Sequence, residues 1–407
     1  MYENVPADKS KMRRLLKSRT IKIVSSVFLF LLIFAALFAV DAAGIFRPRI
    51  LLDAAYQLVT PEVAGLEIAL IPHPAEVKDH ANPINGVLMT KTDYDELMQR
   101  SPIAIITNNF VSARPQFGLS KADTVMEVLA EGGITRLVPI YYQNYDLAKV
   151  GPVRSLRYYM IMFTSEYSDA VIFHEGWAGF DNTPVETYRK ETDARGAVFE
   201  FHIKSMRSGA RYRDMEKAKK DGYVHALYTD FGKIKPELDR MTKVAGWKLG
   251  TTSLEPLAFK FDEPFASRGD FKSVSINFLS TKSMDYESRF EYDQESNTYK
   301  RFISGKPDID LLTNQQVAPK NVIIEWHNYR DANDGHRRII IDMTGEDKVQ
   351  ILNDGKLTEG KWKKDCRTCR TKYFTAEGTE IPLVRGQNWV VNAVKSGDRL
   401  VSRVKFD

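Results

Sequence analysis

Arginine, glutamate and glycine are concentrated in one stretch of this sequence, residues 108–157. Two glutamates four residues apart, Glu127 and Glu131, lie among glycine-bearing turns at Gly132-Gly133 and Gly151-Pro152. Guanidinium groups bind phosphate, sulfate or carboxylate through paired hydrogen bonds, and paired carboxylates can perform acid–base chemistry. The stretch therefore predicts a polar site built where strands meet helices. Its four arginines are Arg114, Arg136, Arg154 and Arg157.

Arg154 and Arg157 follow the Gly151-Pro152 turn and are three residues apart. A helix predicted to begin at Ser155 would put both on one face, close to the helix N-terminus. A helix N-terminus flanked by two guanidinium groups is well suited to an anion. Internal pairing of these arginines with the two glutamates is the alternative, and it stays open because arginine serves both purposes.

The candidate acid–base groups are Glu127, Glu131 and His174. The glutamates are predicted to share one face of a helix, where they could act in catalysis or pair with Arg114 and Arg136. His174 directly follows a predicted strand, a position where ligand and catalytic groups collect in α/β sheets. The histidine spacings match no standard metal motif, and no nucleotide-binding or nucleophile-elbow motif is present. We therefore predict no metal and no cofactor.

Strands and helices alternate in the first half of the chain. Strands are predicted at residues 103–106, 134–142 and 169–173; one helix is capped by Ser120 and ended by Gly132-Gly133, and another starts at Ser155. This alternation predicts an α/β domain with partly parallel pairing. After residue 254 short β-rich runs recur between turns such as Asn353-Asp354-Gly355 and Ser396-Gly397-Asp398. The second half therefore reads as a mainly antiparallel β domain.

The N-terminus carries a membrane signal. Residues 23–40 are eighteen consecutive uncharged, mostly apolar residues, long enough to cross a bilayer core as a helix. Seven basic and two acidic residues precede this run. The positive-inside rule then leaves the N-terminus in the cytoplasm and everything after the run outside, as a single-pass cell-membrane protein. A cleaved signal peptide is the alternative, although Asp41 disfavours a cleavage site.

Charge argues against nucleic acid as a partner. The chain has 58 basic and 53 acidic residues, a net charge of +5, and residues 1–22 alone account for that excess. The remainder is balanced, so it has no global field that would gather DNA or RNA.

Cys366 and Cys369 are the only cysteines. Outside the cytoplasm such a C-x-x-C pair can form a small disulfide loop. Free thiols and a redox or metal role are the alternatives; the predicted β-turn setting disfavours a redox motif, and no further cysteine is available as a zinc ligand.

Several strings resemble the YerB-like family of bacterial envelope proteins, known as domain of unknown function 3048. The specific ones are "NPINGV", "ITNNFVSARPQFGLSKADTVMEVLAEGGITRLVPIYY" and "VGPVRSLRYY", and the second half is similar to the C-terminal domain of that family. The resemblance spans about residues 82–401. It implies two domains and an extracytoplasmic location, but no activity. Many members are lipoproteins, whereas here an apolar run stands in place of the lipid-bearing cysteine.

The resemblance adds Asn109, Gln116, Thr135 and Ser155, which match family motifs, to the arginines as candidate ligand-binding residues. The predicted organisation is a basic cytoplasmic tail (1–22), a transmembrane helix (23–43), a linker (44–80), an α/β domain (81–250) and a β-rich domain (255–407). We predict a membrane-anchored envelope protein that binds an anionic ligand, such as a cell-wall fragment or an acidic segment of an envelope partner. The alternatives are an envelope hydrolase using Glu127 or Glu131 with His174, and a structural or assembly module.

Overall fold

A long mixed β-sheet runs through both halves of the chain. The computed structural model describes residues 76–407 except 169, 180–183, 208, 251–253 and 280–284. Among the described residues, thirteen strands belong to this sheet. In chain order they are β3 (Ile103–Ile105), β4 (Thr107–Asn108), β5 (Thr124–Leu129), β6 (Thr135–Tyr141), β7 (Val171–Phe173), β8 (Ser205–Met206), β18 (Asn321–Asp331), β19 (Ile339–Ile341), β20 (Gly345–Asn353), β21 (Lys356–Lys364), β22 (Lys372–Phe374), β24 (Asn388–Ser396) and β25 (Arg399–Leu400).

The remaining strands form smaller sheets. The largest of these is five-stranded and entirely antiparallel, with the order β15 (Lys306–Pro307), β14 (Thr298–Ile303), β13 (Ser288–Asp293), β12 (Ser273–Asn277) and β26 (Arg403–Phe406). The other strands outside the long sheet are β1 (His80–Ala81), β2 (Leu88–Met89), β9 (Arg211–Arg213), β10 (Leu227–Thr229), β11 (Phe259–Lys260), β16 (Ile309–Asp310), β17 (Gln315–Gln316) and β23 (Leu383–Val384).

The α-helices of the described residues all precede residue 250, in the first half of the chain. The longest, α5, has Asp230 as its N-cap and ends at Gly246, which adopts the left-handed conformation common after helices. The helices are α1 (Lys91–Met98), α2 (Tyr158–Thr164), α3 (Ala194–Glu200), α4 (Met215–Asp221) and α5 (Phe231–Ala245).

Strand order joins the two halves directly. The long sheet runs β22-β21-β20-β18-β24-β5-β6-β3-β7-β8, so β24 from the second half pairs with β5 from the first. That pairing is parallel, with Asn388 opposite Thr124. Residues 75–407 form one compact unit. The predicted boundary at residues 250–255 therefore has strands of the same sheet on both sides of it.

Strand direction determines where a site can form. β18 is parallel to β24, β24 is parallel to β5, and β3 is parallel to β7, whereas β6 is antiparallel to both β5 and β3. The carboxyl ends of β18, β5, β3 and β7 therefore lie at one edge of the sheet. Ligand sites of open α/β sheets are characteristic of this edge.

The helix predicted between Ser120 and Gly132 is wrong. Residues 124–129 form β5, a strand that is buried along its whole length. A short apolar run buried on both faces cannot be distinguished from a helix by periodicity alone, and β-branched Thr124, Val125 and Val128 favour the strand. Glu127 and Glu131 consequently share no helix face: Glu127 lies in the strand and Glu131 in the turn after it.

The pattern interpreted as a helix cap has another role. The Ser120 hydroxyl donates to Asp310 at 2.6 Å instead of capping a helix. The Asp123 carboxylate is fully buried and accepts hydrogen bonds from the side chains of Asn82 and Asn85, both at 2.7 Å, and from the backbone N–H of Tyr142 at 2.7 Å. Asp123 therefore anchors the segment before α1 to the long sheet, which gives the "NPINGV" string a structural purpose.

The helix predicted from Ser155 begins later. Helix α2 starts at Tyr158 with Arg157 as its extended N-cap residue, and Arg154 lies in an extended segment hydrogen-bonded to Ile106. The prediction that Arg154 and Arg157 share a helix face is therefore wrong.

The other predicted strands are confirmed. Those at residues 103–106 and 134–142 correspond to β3 and β6, and β7 ends at Phe173, directly before His174. In the second half the β-rich runs are strands and mostly antiparallel. The two predicted turns close the hairpins β20–β21 and β24–β25, with both Asp354 and Gly355 in the left-handed region that such two-residue loops require.

A disulfide joins Cys366 and Cys369, whose Cα atoms are 5.0 Å apart. Two basic residues that flank this small loop reach the turn directly after α2: Lys364 donates to the buried Glu166 carboxylate at 3.0 Å and Arg370 at 3.2 Å. Burial alone would raise the pKa of Glu166, but these two cations lower it. The loop therefore fastens the second half of the chain to the end of a helix of the first.

The predicted transmembrane segment, residues 23–43, and the linker after it up to residue 75 lie outside the described residues. Within the part that is described, no helix combines the length and the apolar character needed to cross a bilayer.

Replacing both cysteines (Cys366→Ser with Cys369→Ser) is expected to lower the free energy of unfolding by about 2 kcal/mol, because a four-residue loop is no longer closed in the unfolded chain. Denaturant titration of the purified chain measures this. Reductant should lower the stability of the wild type by the same amount and leave the double variant unchanged. Equal stabilities of the oxidised wild type and the double variant would contradict the stabilising role.

Candidate functional site

A cavity of about 420 Å³ opens at the carboxyl edge of the long sheet. It is bounded by the segments that follow β4, β5, β7 and β18, together with the turn before β10, as strand direction leads one to expect. Four arginines and a single glutamate line this arginine pocket. Its lining residues are Asn108, Phe110, Ala130, Glu131, Ile134, Arg136, Arg154, Arg157, Trp177, Ala178, His225, His336 and Arg338.

The Glu131 carboxylate binds one arginine of the pocket and lies close to a second. Arg157 binds its carboxylate with two parallel hydrogen bonds, from Nε to Oε1 and from Nη2 to Oε2, the second at 2.9 Å. Arg136 approaches the same carboxylate at 3.6 Å and donates to the Ser155 carbonyl oxygen at 2.7 Å. Bidentate arginine–carboxylate pairs fix side-chain geometry strongly, so both guanidinium groups are held in position.

Burial and neighbouring charges set the protonation states of Glu131, Arg136 and Arg157. Burial alone would raise the pKa of Glu131, but the charge and hydrogen bonds of Arg157, with Arg136 next to it, bring it down to about 2. Burial and the charge of Arg157 lower the pKa of Arg136 to about 9, which still leaves Arg136 protonated at neutral pH. At neutral pH the cluster therefore consists of one carboxylate and two guanidinium groups.

Arg154 differs from its neighbours. Its side chain is half-buried at the pocket wall, and among the described residues no carboxylate lies within ion-pair distance of it. Burial and the charge of Arg157 lower its pKa, with Glu131 acting in the opposite direction. A guanidinium group held near other positive charges without its own carboxylate is a favourable place for an anion.

The second half of the chain supplies the opposite wall. In the loop between β18 and β19 the fully buried Asp334 accepts the backbone N–H of His336 at 2.9 Å and pairs with the Arg338 guanidinium at 3.3 Å. This arrangement presents His336 and Arg338 to the pocket. Even when Asp334, the partner of Arg338, is included, the side chains around the cavity carry more positive than negative charge.

His225 forms part of the floor. Its ring stacks on Phe110 with ring centres 4.8 Å apart, and its Nδ1 lies 3.0 Å from the Asn108 amide. Burial, together with the charges of Arg154 and Lys217, lowers its pKa. At neutral pH the ring is therefore neutral. Because Nδ1 accepts from the Asn108 amide, Nε2 carries the proton and can donate a hydrogen bond.

His174 does not line the pocket. It is fully buried, its Nδ1 lies 2.8 Å from the Gly176 carbonyl oxygen, and its Nε2 lies 2.8 Å from the Ser205 hydroxyl. Nδ1 must carry the proton to reach a carbonyl, so Nε2 accepts from Ser205 and the ring is neutral. Burial lowers its pKa to about 4. With both nitrogens engaged, His174 positions the segment that leads to Trp177.

Glu127 is also outside the pocket, in a buried polar cluster between the two sheets. Its carboxylate is fully buried and receives Arg301 at 2.9 Å, the Ser288 hydroxyl at 2.8 Å and the Trp389 indole N–H at 3.1 Å. Arg301 is itself fully buried and pairs in addition with Asp308. We call these five residues the Glu127 cluster, and four of the five come from the second half of the chain.

Four further candidate ligand-binding residues border this cluster instead of the pocket. Thr135 donates to Glu127 at 3.3 Å and accepts from the Asn109 amide at 2.7 Å, and Gln116 donates to Asn109 Oδ1 at 2.9 Å. Arg114 donates to that oxygen at 3.1 Å and to Ser304 at 2.8 Å. The Arg114–Ser304 contact joins the two halves, and the other contacts lie within the first half. None of these four residues lines the arginine pocket, so the geometry gives no support to their assignment to ligand binding.

The predicted site thus divides in two. Arg136, Arg154 and Arg157 reach the arginine pocket, and Ser155 contributes its backbone carbonyl to it, whereas Asn109, Arg114, Gln116 and Thr135 are internal. A hydrolase using Glu127 or Glu131 with His174 would need these groups around one cleft with a carboxylate not bound by arginine. Glu127 and Glu131 are both bound by arginine, and His174 is buried apart from the pocket, so no observation favours that activity.

Sequence reasoning missed several lining residues. Trp177, His336 and Arg338 come from loops far apart in the chain that carry no local motif. His225 likewise lies in a short turn that carries no local motif. In the part of the chain that the structure describes, no cluster of three His, Cys, Asp or Glu side chains is suited to a metal ion.

Replacing Glu127 by glutamine is expected to lower the free energy of unfolding by about 3 kcal/mol, because the buried Arg301 loses one of its two carboxylate partners. Urea unfolding measures the change. The matched control is Glu346→Gln, at an exposed position on β20, which should stay within about 0.5 kcal/mol of the wild type. A loss below about 1 kcal/mol would show that the buried pair contributes little to stability.

The free energy of unfolding is expected to depend on pH through the Glu131 carboxylate. Its folded-state pKa of about 2 lies below the ordinary value of 4.5, so its contribution is present above pH 4.5 and is lost as the pH falls towards 2. Relative to Glu131→Gln, the wild type should be about 3 kcal/mol more stable at pH 7, and this advantage should vanish near pH 2. Denaturant titrations across this range test it; a difference that does not change with pH would contradict it.

The comparisons with known proteins agree with the fold. "Protein of unknown function (DUF3048) N-terminal domain" matches residues 89–244, and the corresponding C-terminal domain matches residues 274–390. The protein named "Putative lipoprotein YerB" from Bacillus subtilis (strain 168) is 29% identical over 321 residues, which are 77% of this chain and 87% of that protein. The crystal structure of YerB from Bacillus subtilis matches with a TM-score of 0.63 at 25% identity, covering 80% of this chain and 100% of that one. The chain belongs to the DUF3048 family, of which it carries both the N-terminal and the C-terminal domain.

Proposed function

We propose that this chain is a membrane-anchored protein of the bacterial cell envelope that binds an anionic ligand in the arginine pocket. Two observations support the location. The relative is named a lipoprotein, and in this chain residues 23–43 carry the apolar run that would hold it at the membrane with the folded unit outside.

The single observation that carries the binding proposal is the charge of the pocket wall. Four arginines and one glutamate line an open cavity in a chain whose charges after residue 22 are balanced. Arg136 and Arg157 are occupied by Glu131 and Arg338 by Asp334, whereas Arg154 has no such carboxylate partner among the described residues. An anion at Arg154 would complete the pairing.

The pocket suits a compact anion such as a phosphate or carboxylate group. Arg154 can offer a paired donor edge, the neutral His225 a further hydrogen bond, and Arg136 and Arg157 a nearby positive field. The cavity volume of about 420 Å³ exceeds what such a group alone occupies and falls in the range of ~300–1,000 Å³ found for small-molecule sites. The charged group would then be one end of a larger ligand.

Replacing Arg154 by alanine is expected to weaken binding of inorganic phosphate about 10–100-fold, because a charge-assisted hydrogen-bonding partner is lost. Its free energy of unfolding should stay within about 0.5 kcal/mol of the wild type, since no internal ion pair is broken. Isothermal titration calorimetry and urea unfolding give the two quantities. Arg403→Ala, an exposed arginine on β26, is the control and should change neither.

Arg157→Ala separates binding from scaffolding. It removes the partner of Glu131, so it should reduce both phosphate binding and stability. If Arg154→Ala leaves phosphate binding unchanged, or if the wild type binds no phosphate, the pocket arginines serve the fold alone, as in a structural or assembly module.

A further inference from the structure

A second cavity lies directly beside the arginine pocket and shares Trp177 with it. This neighbouring cavity has a volume of about 610 Å³ and lies between the end of β8, helix α3 and the last turn of helix α5. Trp177 lines both cavities, so the two spaces meet at this residue. We call it the tryptophan cavity.

The tryptophans of the chain support a binding role for this cavity. Trp326, Trp362 and Trp389 are buried in the core, whereas Trp177 and Trp247 are partly exposed, and both of these line the tryptophan cavity. Phe199 adds a third ring to the lining, and its side chain is 65% exposed. Three aromatic rings around one open cavity form a surface suited to the flat, apolar face of a ligand ring.

The polar groups of the cavity both donate and accept hydrogen bonds. Arg240 binds the Glu237 carboxylate with two hydrogen bonds, at 2.8 and 2.7 Å, and both residues line the cavity. Arg207 also lines it and lies 3.9 Å from the Trp177 ring centre. A ligand with an apolar ring face and several hydroxyl groups at its edge would match this combination. A sugar ring has that pattern: its C–H groups contact an aromatic face and its hydroxyl groups form hydrogen bonds.

We propose that the anionic ligand of the arginine pocket is a glycan, with its phosphate or carboxylate group at Arg154 and an adjoining sugar ring in the tryptophan cavity. This inference rests on the proposed function and names its ligand class. A peptide fits less well. An extended peptide commonly binds by adding to a sheet edge, and the edge strand here, β8, is only two residues long.

Calorimetry with four probes tests the proposal on the full-length chain in a detergent without a sugar headgroup. The probes are glucose 6-phosphate, glucose, inorganic phosphate and a short acidic peptide that contains tyrosine. Glucose 6-phosphate should bind at least tenfold more tightly than inorganic phosphate and more tightly than the peptide. Trp247→Ala should remove this tenfold advantage and leave phosphate binding unchanged, whereas Arg154→Ala should weaken both.

Two further variants distinguish a loss of ligand contacts from a folding defect. Phe199→Ala changes a side chain that is mostly exposed, so the fold should tolerate it, and it should reduce the sugar-dependent advantage without changing phosphate binding. Phe261→Ala, which is 67% exposed and lies outside both cavities, should change nothing.

The outcomes distinguish the two proposals. Phosphate binding through Arg154 with no sugar advantage, or with an advantage that survives in both aromatic variants, would overturn the glycan assignment alone. Tighter binding of the acidic peptide would replace the glycan by a peptide ligand. Absence of binding by every probe would overturn the proposed function itself.

Discussion

The buried ion pair of Glu127 and Arg301 is the contact on which the rest of this fold depends. Glu127 lies at the centre of a strand buried on both faces, where an unpaired carboxylate would be very unfavourable. Apart from Thr135, its partners come from more than 150 residues further along the chain: Ser288, Arg301 and Trp389. The first half of the chain therefore cannot satisfy its own core. This requirement explains why β24 pairs with β5 and why both halves share one sheet.

The arginine pocket is a consequence of that shared sheet. With β24 next to β5, strand β18 joins the parallel set, and its carboxyl end comes to the same edge as those of β5 and β7. The loop after β18 can then place His336 and Arg338 opposite Arg154. Neither half alone would enclose the cavity, because its two walls come from different family domains.

Predictions from short stretches of sequence were correct where the structural feature depends on residues that are neighbours in the chain. Some features depend only on the conformational preferences of a few neighbouring residues. Examples are the turn at Asp354-Gly355, the short apolar strand β3 and the concentration of arginine near Gly151-Pro152. The assignments that were wrong depended on distant partners. Ser120 was predicted to cap a helix, yet its hydroxyl donates to Asp310, and Glu127 was placed on a helix because its partner Arg301 lies 174 residues away in the sequence. The same limit applies to Trp177 and Arg338, which no motif marks.

Glu131 has a role in the pocket beyond neutralising charge. By binding Arg157 at two atoms and lying 3.6 Å from Arg136, it fixes two long side chains that would otherwise have to be ordered when a ligand arrives. Ordering one such side chain costs about 0.5–1.5 kcal/mol, so this part of the binding cost is met during folding. The carboxylate also repels an incoming anion, and it neutralises part of the charge of Arg136 and Arg157, whereas it forms no ion pair with Arg154. An acidic group in a basic pocket is therefore compatible with anion binding, and it favours one position for the anion over the others.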